Sequence, residues 1–66
     1  MRLKVNGTDT ELANGTTVER IVAERTKGEI RVAVARNGEV VPRSAWAETA
    51  LVEGDEVELL VAVAGG

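Results

Sequence analysis

An α+β fold, one helix laid across a mixed five-stranded sheet, is what this sequence predicts, and three observations predict it. Apolar and polar residues alternate with the strand period of two near both ends and in the middle of the chain. Only one window, Val18, Ile21, Val22 and Arg25, has helical spacing, and two threonines stand ahead of it. Asn-Gly pairs, the strongest short hairpin signal, follow alternating stretches at Asn6-Gly7 and Asn37-Gly38.

The elements follow in order. Leu3 and Val5 alternate with Arg2, Lys4 and Asn6, the pattern of a half-buried strand, and Asn6-Gly7 turns it into a second short strand through Thr10 and Leu12. Thr16-Thr17-Val18-Glu19 fits a capping box in which Thr16 caps and Glu19 reaches back, opening an amphipathic helix of two to three turns. Lys27 suits the negative end of the helix dipole and Gly28 stands where a helix-ending glycine belongs, so the helix stops near Lys27. Ile30, Val32 and Val34 alternate with Arg31, Ala33 and Ala35 in a third strand that runs to Arg36. Asn37-Gly38 leads into a fourth strand, Glu39 to Val41, which Pro42 ends because it has no N–H to donate to a ladder. Ser44 to Leu51 reads as an irregular or short helical connection, and Gly54-Asp55 as a tight turn. The last strand is the longest. It carries Val57, Leu59, Val61 and Val63 on one face and Glu56, Glu58, Leu60 and Ala62 on the other, the apolar character of a central strand.

The expected core is aliphatic: Leu3, Val5, Val18, Ile21, Val22, Val32, Val34, Leu51, Val57 and Leu59, with Trp46, the only aromatic residue, as a lid on its edge. One helix across one sheet is the smallest architecture that buries this set. The whole chain, residues 1–66, reads as a single domain with Val63 to Gly66 as a tail. A domain of this size buries only about 60% of the surface its unfolded chain exposes.

Composition narrows the chemistry. The sequence contains no Cys, His, Tyr or Phe, which removes disulfides, thiolate chemistry, the usual general base and the usual zinc ligand. Only carboxylates, lysines and hydroxyls remain. Ser44 has no base to activate it, and Glu53, Asp55 and Glu56 read as solvated acids round a turn, so neither a catalytic nor a metal site is expected. Charge is uneven: residues 1–47 carry eight basic and six acidic side chains, whereas residues 48–66 carry Glu48, Glu53, Asp55, Glu56 and Glu58 with no Lys or Arg. That acidic third disfavours nucleic acid and suits either a basic protein partner or plain solubility. Met1 to Val5 alternates instead of forming an apolar signal core, so no membrane association and a cytoplasmic location are expected. Asn6-Gly7-Thr8 and Asn14-Gly15-Thr16 match the glycosylation sequon but read as turns.

The chain ends Val63-Ala64-Gly65-Gly66. Without a Cβ, such a tail can stay extended and thread a narrow channel in a partner's active site, although terminal glycines are also common for no functional reason. Asn37-Gly38-Glu39, Val41-Pro42-Arg43, Trp46-Ala47, Gly54-Asp55 and this tail together resemble the ThiS family, the sulfur carriers of thiamine thiazole biosynthesis, which share the ubiquitin-like β-grasp fold. Gly15 and Thr17-Val18 fall where that family opens its helix, and the resemblance spans the chain.

The resemblance implies a carrier with no active site of its own and no bound cofactor. The Gly66 carboxylate would be adenylated by a ThiF-type enzyme that uses ATP and magnesium, then converted to a thiocarboxylate with sulfur relayed from cysteine by a cysteine desulfurase. The thiocarboxylate would serve a ThiG-type thiazole synthase. Chemically this suits a chain without Cys or His: an ionised carboxylate is a poor electrophile until activated as an anhydride, and a thiocarboxylate carries nucleophilic sulfur without any thiol. Gly65, Ala64 and Val63 would carry Gly66 into the partner, and Gly65 and Gly66 are expected to be flexible in the free protein. Leu60, Ala62, Ala33 and Ala35, rimmed by Lys4, Arg31 and Glu58, read equally as a docking patch or as scattered surface apolar residues. Arg43 reads equally as a partner contact or an ordinary surface arginine. Three other functions share the fold and tail: the small subunit of molybdopterin synthase, a ubiquitin-like protein modifier, and a binding module with an incidental diglycine. Leu59-Leu60-Val61-Ala62 and Val41-Pro42-Arg43 favour the thiamine branch over the molybdopterin one.

Overall fold

A computed structural model describes residues 1–27 and 31–62. Its elements are β1 (Arg2–Val5), β2 (Thr8–Glu11), α1 (Val18–Thr26), β3 (Val32–Arg36), β4 (Glu39–Val40), a 3-10 helix (Arg43–Glu48) and β5 (Glu56–Val61). The strands form one mixed sheet in the order β2-β1-β5-β3-β4. β5, the longest, lies at the centre, parallel to β1 and antiparallel to β3. Both hairpins form at their Asn-Gly pairs, with Asn6 and Asn37 in the left-handed region at φ 51° and 52°. That is the geometry a two-residue turn needs to match the twist of its strands.

One side of the sheet carries the helix. Val18, Ile21 and Val22 lie on one stripe of α1 and are buried against Leu3, Val5, Val34, Leu51, Val57 and Leu59. Full burial of such a side chain stabilises the fold by about 1.5–3 kcal/mol. Trp46 joins this core from the 3-10 helix, and its indole N–H donates to the Val41 carbonyl at 2.9 Å, satisfying the one polar atom it brings inside. The segment beyond the 3-10 helix returns to the helix entrance: the Val18 N–H donates to Thr49 O and the Leu51 N–H to Thr16 O, each at 2.9 Å.

Several expectations are corrected. The helix cap is Thr17, not Thr16: Thr17 Oγ1 accepts from the Arg20 N–H at 3.2 Å, while the Thr16 hydroxyl donates back to Ala13 O. At the other end Lys27 itself takes the left-handed conformation, φ 52°, and Gly28 and Ile30 lie outside the described residues. The second strand stops at Glu11 and the fourth at Val40, because Leu12 and Val41 each keep only a single backbone bond to their neighbour, to Met1 O and Val34 O. Val32 packs against the core half-buried instead of within it. Asp55 is no solvated turn acid: it is 4% exposed.

Candidate functional site

The sheet face away from α1 is where strand register gathers the expected docking residues. Ala33 stands opposite Leu60, Ala35 opposite Glu58, and Val40 opposite Ala35, so residues from β3, β4 and β5 meet on one face. Leu60 is 71% exposed and Val40 77%, unusual for large aliphatic side chains in a sheet. Two adjoining shallow grooves share Ala33 and Leu60, one extending along Arg31, Val61 and Ala62, the other towards Val40 and Glu58. Ala62 is still tied to the residue ahead of β3, its N–H donating to Arg31 O at 2.9 Å. Beyond it lie Val63, Ala64, Gly65 and Gly66, the expected reactive tail, which fall outside the described residues.

Val40 was missing from the sequence reading of this face. A signal existed, since Asn37-Gly38 fixes the hairpin register and register fixes which side Val40 faces. Arg43 is not among the residues lining these grooves. It sits on the 3-10 helix with its guanidinium 4.7 Å from the centre of the Trp46 ring, a cation–π contact.

What holds the face in place is a polar clamp around the start of β5. Asp55 Oδ2 accepts from the Val52 N–H at 2.8 Å and from Arg36 Nε at 2.9 Å, and Oδ1 accepts from Asn37 Nδ2 at 3.0 Å. Burial, the largest single influence, pushes the carboxyl up, but the hydrogen bonds from Val52, Asn37 and Arg36 and the charge of Arg36 together outweigh it and hold it below its ordinary 3.8. Asn37 Oδ1 in turn accepts from the Glu56 N–H at 2.9 Å. On the other flank of β5, Asn6 acts as a surrogate peptide: Oδ1 accepts from the Leu59 N–H at 2.8 Å and Nδ2 donates to Leu59 O at 3.3 Å. Both hairpin turns are therefore pinned to the strand that leads into the tail.

The acidic third of the chain is partly consumed by the fold, since Asp55 is in the clamp and Glu53 accepts from the Arg2 N–H at 2.9 Å. Glu48, Glu56 and Glu58 stay exposed. Among the described residues, no three acidic, His or Cys side chains gather as a metal site would require, and no helix is long and apolar enough to cross a membrane. The arrangement presents a surface and a strand end.

The sequence profile of the ThiS family matches residues 3–66. The chain belongs to the ThiS family. Among curated relatives, the ThiS sulfur carrier protein of Escherichia coli is 30% identical over 66 residues, all of both chains. A thiazole synthase of Paramagnetospirillum magneticum is 36% identical over the whole of this chain, which spans only 20% of that much longer relative. The crystal structure of the thiamine biosynthesis protein ThiS from Geobacter metallireducens superposes with a TM-score of 0.82 at 33% identity, covering 100% of both chains. The ThiS family consists of small sulfur carriers with the ubiquitin-like β-grasp fold, and this chain is accordingly a sulfur carrier of thiamine biosynthesis and not a catalyst.

Proposed function

We propose that the protein carries sulfur on its last residue. The Gly66 carboxylate is adenylated by a ThiF-type enzyme using ATP and magnesium, with pyrophosphate leaving. Persulfide sulfur relayed from a cysteine desulfurase attacks the activated carbonyl and displaces AMP, a second thiol such as cysteine reduces the resulting acyl disulfide, and the thiocarboxylate so released gives its sulfur to a ThiG-type thiazole synthase. Val63, Ala64 and Gly65 thread Gly66 into each partner, while Leu60, Ala33, Ala62 and the newly found Val40 dock the sheet face against it. Exposed aliphatic residues gathered on one face are the kind of patch that marks a protein interface. Exposed Glu56 and Glu58 beside that patch suit partners with basic rims. This reading places the carrier in the cytoplasm.

The observation that carries the proposal is the match of residues 3–66, diglycine included, to a sulfur-carrier family. The thiazole synthase partnership has its own support: a stretch 36% identical to this whole chain lies within a protein named thiazole synthase, so carrier and synthase there share one polypeptide. Gene deletion tests the pathway. Thiamine auxotrophy with intact molybdenum-cofactor enzymes is expected; loss of the molybdenum cofactor instead overturns the thiamine reading. Isopeptide adducts on cellular lysines point to protein modification.

A further inference from the structure

Three Asn-Gly pairs occur in the chain, Asn6-Gly7, Asn14-Gly15 and Asn37-Gly38. Glycine leaves the amide nitrogen that follows each asparagine unshielded by a Cβ, so the three share one intrinsic reactivity: attack of that nitrogen on the asparagine Cγ. The fold separates them. Asn6 has both ends of its side-chain amide tied to Leu59, and Asn37 has its own tied to Glu56 and Asp55. Both also sit in left-handed turns wedged against β5. Asn14 differs in each respect. It is exposed on the loop between β2 and α1, its φ is outside the left-handed region, and among the described residues its side-chain amide has no hydrogen-bond partner.

We infer that Asn14 is the site at which this protein spontaneously deamidates and forms isoaspartate, because its amide is unanchored whereas those of Asn6 and Asn37 are held by β5. In the first step the Gly15 nitrogen bonds to Asn14 Cγ, the Cγ–Nδ2 bond breaks, and the amide proton leaves with the nitrogen as ammonia. Water then opens the cyclic imide. Cleavage at Cγ gives aspartate; cleavage at the main-chain carbonyl gives isoaspartate, with an extra methylene in the backbone. No oxidant or reductant is involved. Either product places a new carboxylate in a groove lined by Glu11, Thr17, Arg20 and Glu24, next to the helix entrance. The loop follows edge strand β2, which β1 separates from β5, so the face bearing Leu60 keeps its structure.

Ageing the full-length protein in mildly alkaline buffer, followed by peptide mapping that separates aspartate from isoaspartate, tests the inference. The Asn14 peptide is expected to convert about thirtyfold faster than those of Asn6 and Asn37, the factor two ordinary hydrogen bonds impose when they must first be released. In concentrated urea the three rates should converge, and Asn14→Ser should remove most of the isoaspartate formed by the native protein. Comparable conversion at Asn6 or Asn37 in the native protein overturns the inference, as does a ranking that persists unchanged in urea.

Discussion

Replacing Asp55 with alanine removes the centre of the clamp on β5 and tests whether a buried acid, and not the aliphatic core alone, holds the sheet face that carries Leu60 and Val40 in register. Three hydrogen bonds of 2.8–3.0 Å end on its carboxylate. Bonds to a charged group contribute about 1.5–3 kcal/mol each. They do not sum here, because Asn37 is exposed and the Arg36 side chain is 30% exposed, so both regain water when the carboxylate goes. The expected loss is about 3 kcal/mol, a large share of the roughly 5–15 kcal/mol that holds a small domain together. At about 4–8 °C per kcal/mol for a domain of this length, the melting midpoint should fall by roughly 12–24 °C. Urea and thermal unfolding followed by Trp46 fluorescence measure it directly, since Trp46 is the only tryptophan and its indole is buried in the core. The effect has a pH signature. A carboxyl held below its ordinary value stabilises fully above that value and loses the contribution as pH falls through its folded pKa. The wild-type and Asp55→Ala stabilities should therefore converge in acid. A loss under about 1 kcal/mol at neutral pH, or a difference that does not shrink in acid, would show that the clamp is incidental.

Two further substitutions separate fold from function. Thr17→Ala removes the helix cap and should cost about 1 kcal/mol by urea unfolding; a cost near zero would return the capping role to Thr16. Leu60→Asp, on a side chain 71% exposed, should leave stability within about 0.5 kcal/mol while slowing thiocarboxylation by the cognate adenylating enzyme. A folded Leu60→Asp protein that is modified at the normal rate would remove the sheet face from partner docking.

Most of the fold was legible because local and global signals agree. Period-two stretches and Asn-Gly pairs define the strands, and nine of the ten expected core residues, all but Val32, are buried. The departures have physical causes. Thr16 and Thr17 are adjacent and chemically equivalent, so only the tertiary bonds from Val18 to Thr49 and from Leu51 to Thr16 decide which of them caps. Asp55 reads as a solvated turn acid because its partners Arg36 and Asn37 are distant in sequence; it becomes a buried ion-pair partner only when β3 pairs with β5 and brings Arg36 opposite Val57. Val40 looks like an ordinary hairpin residue until its pairing with Ala35, on edge strand β4, sets it on the sheet face away from α1. Of the candidate site, the sheet-face residues are brought together, Arg43 is engaged with Trp46, and the tail lies beyond the described residues.

The central claim is that Gly66 is the sulfur-bearing residue, and intact-mass spectrometry tests it most directly. After incubation with the cognate adenylating enzyme, ATP, magnesium, a cysteine desulfurase and cysteine, the protein should gain the mass difference between one oxygen and one sulfur, localised to Gly66 by fragmentation and absent from a variant lacking Gly66. An unchanged mass, or sulfur found on any other residue, contradicts the account.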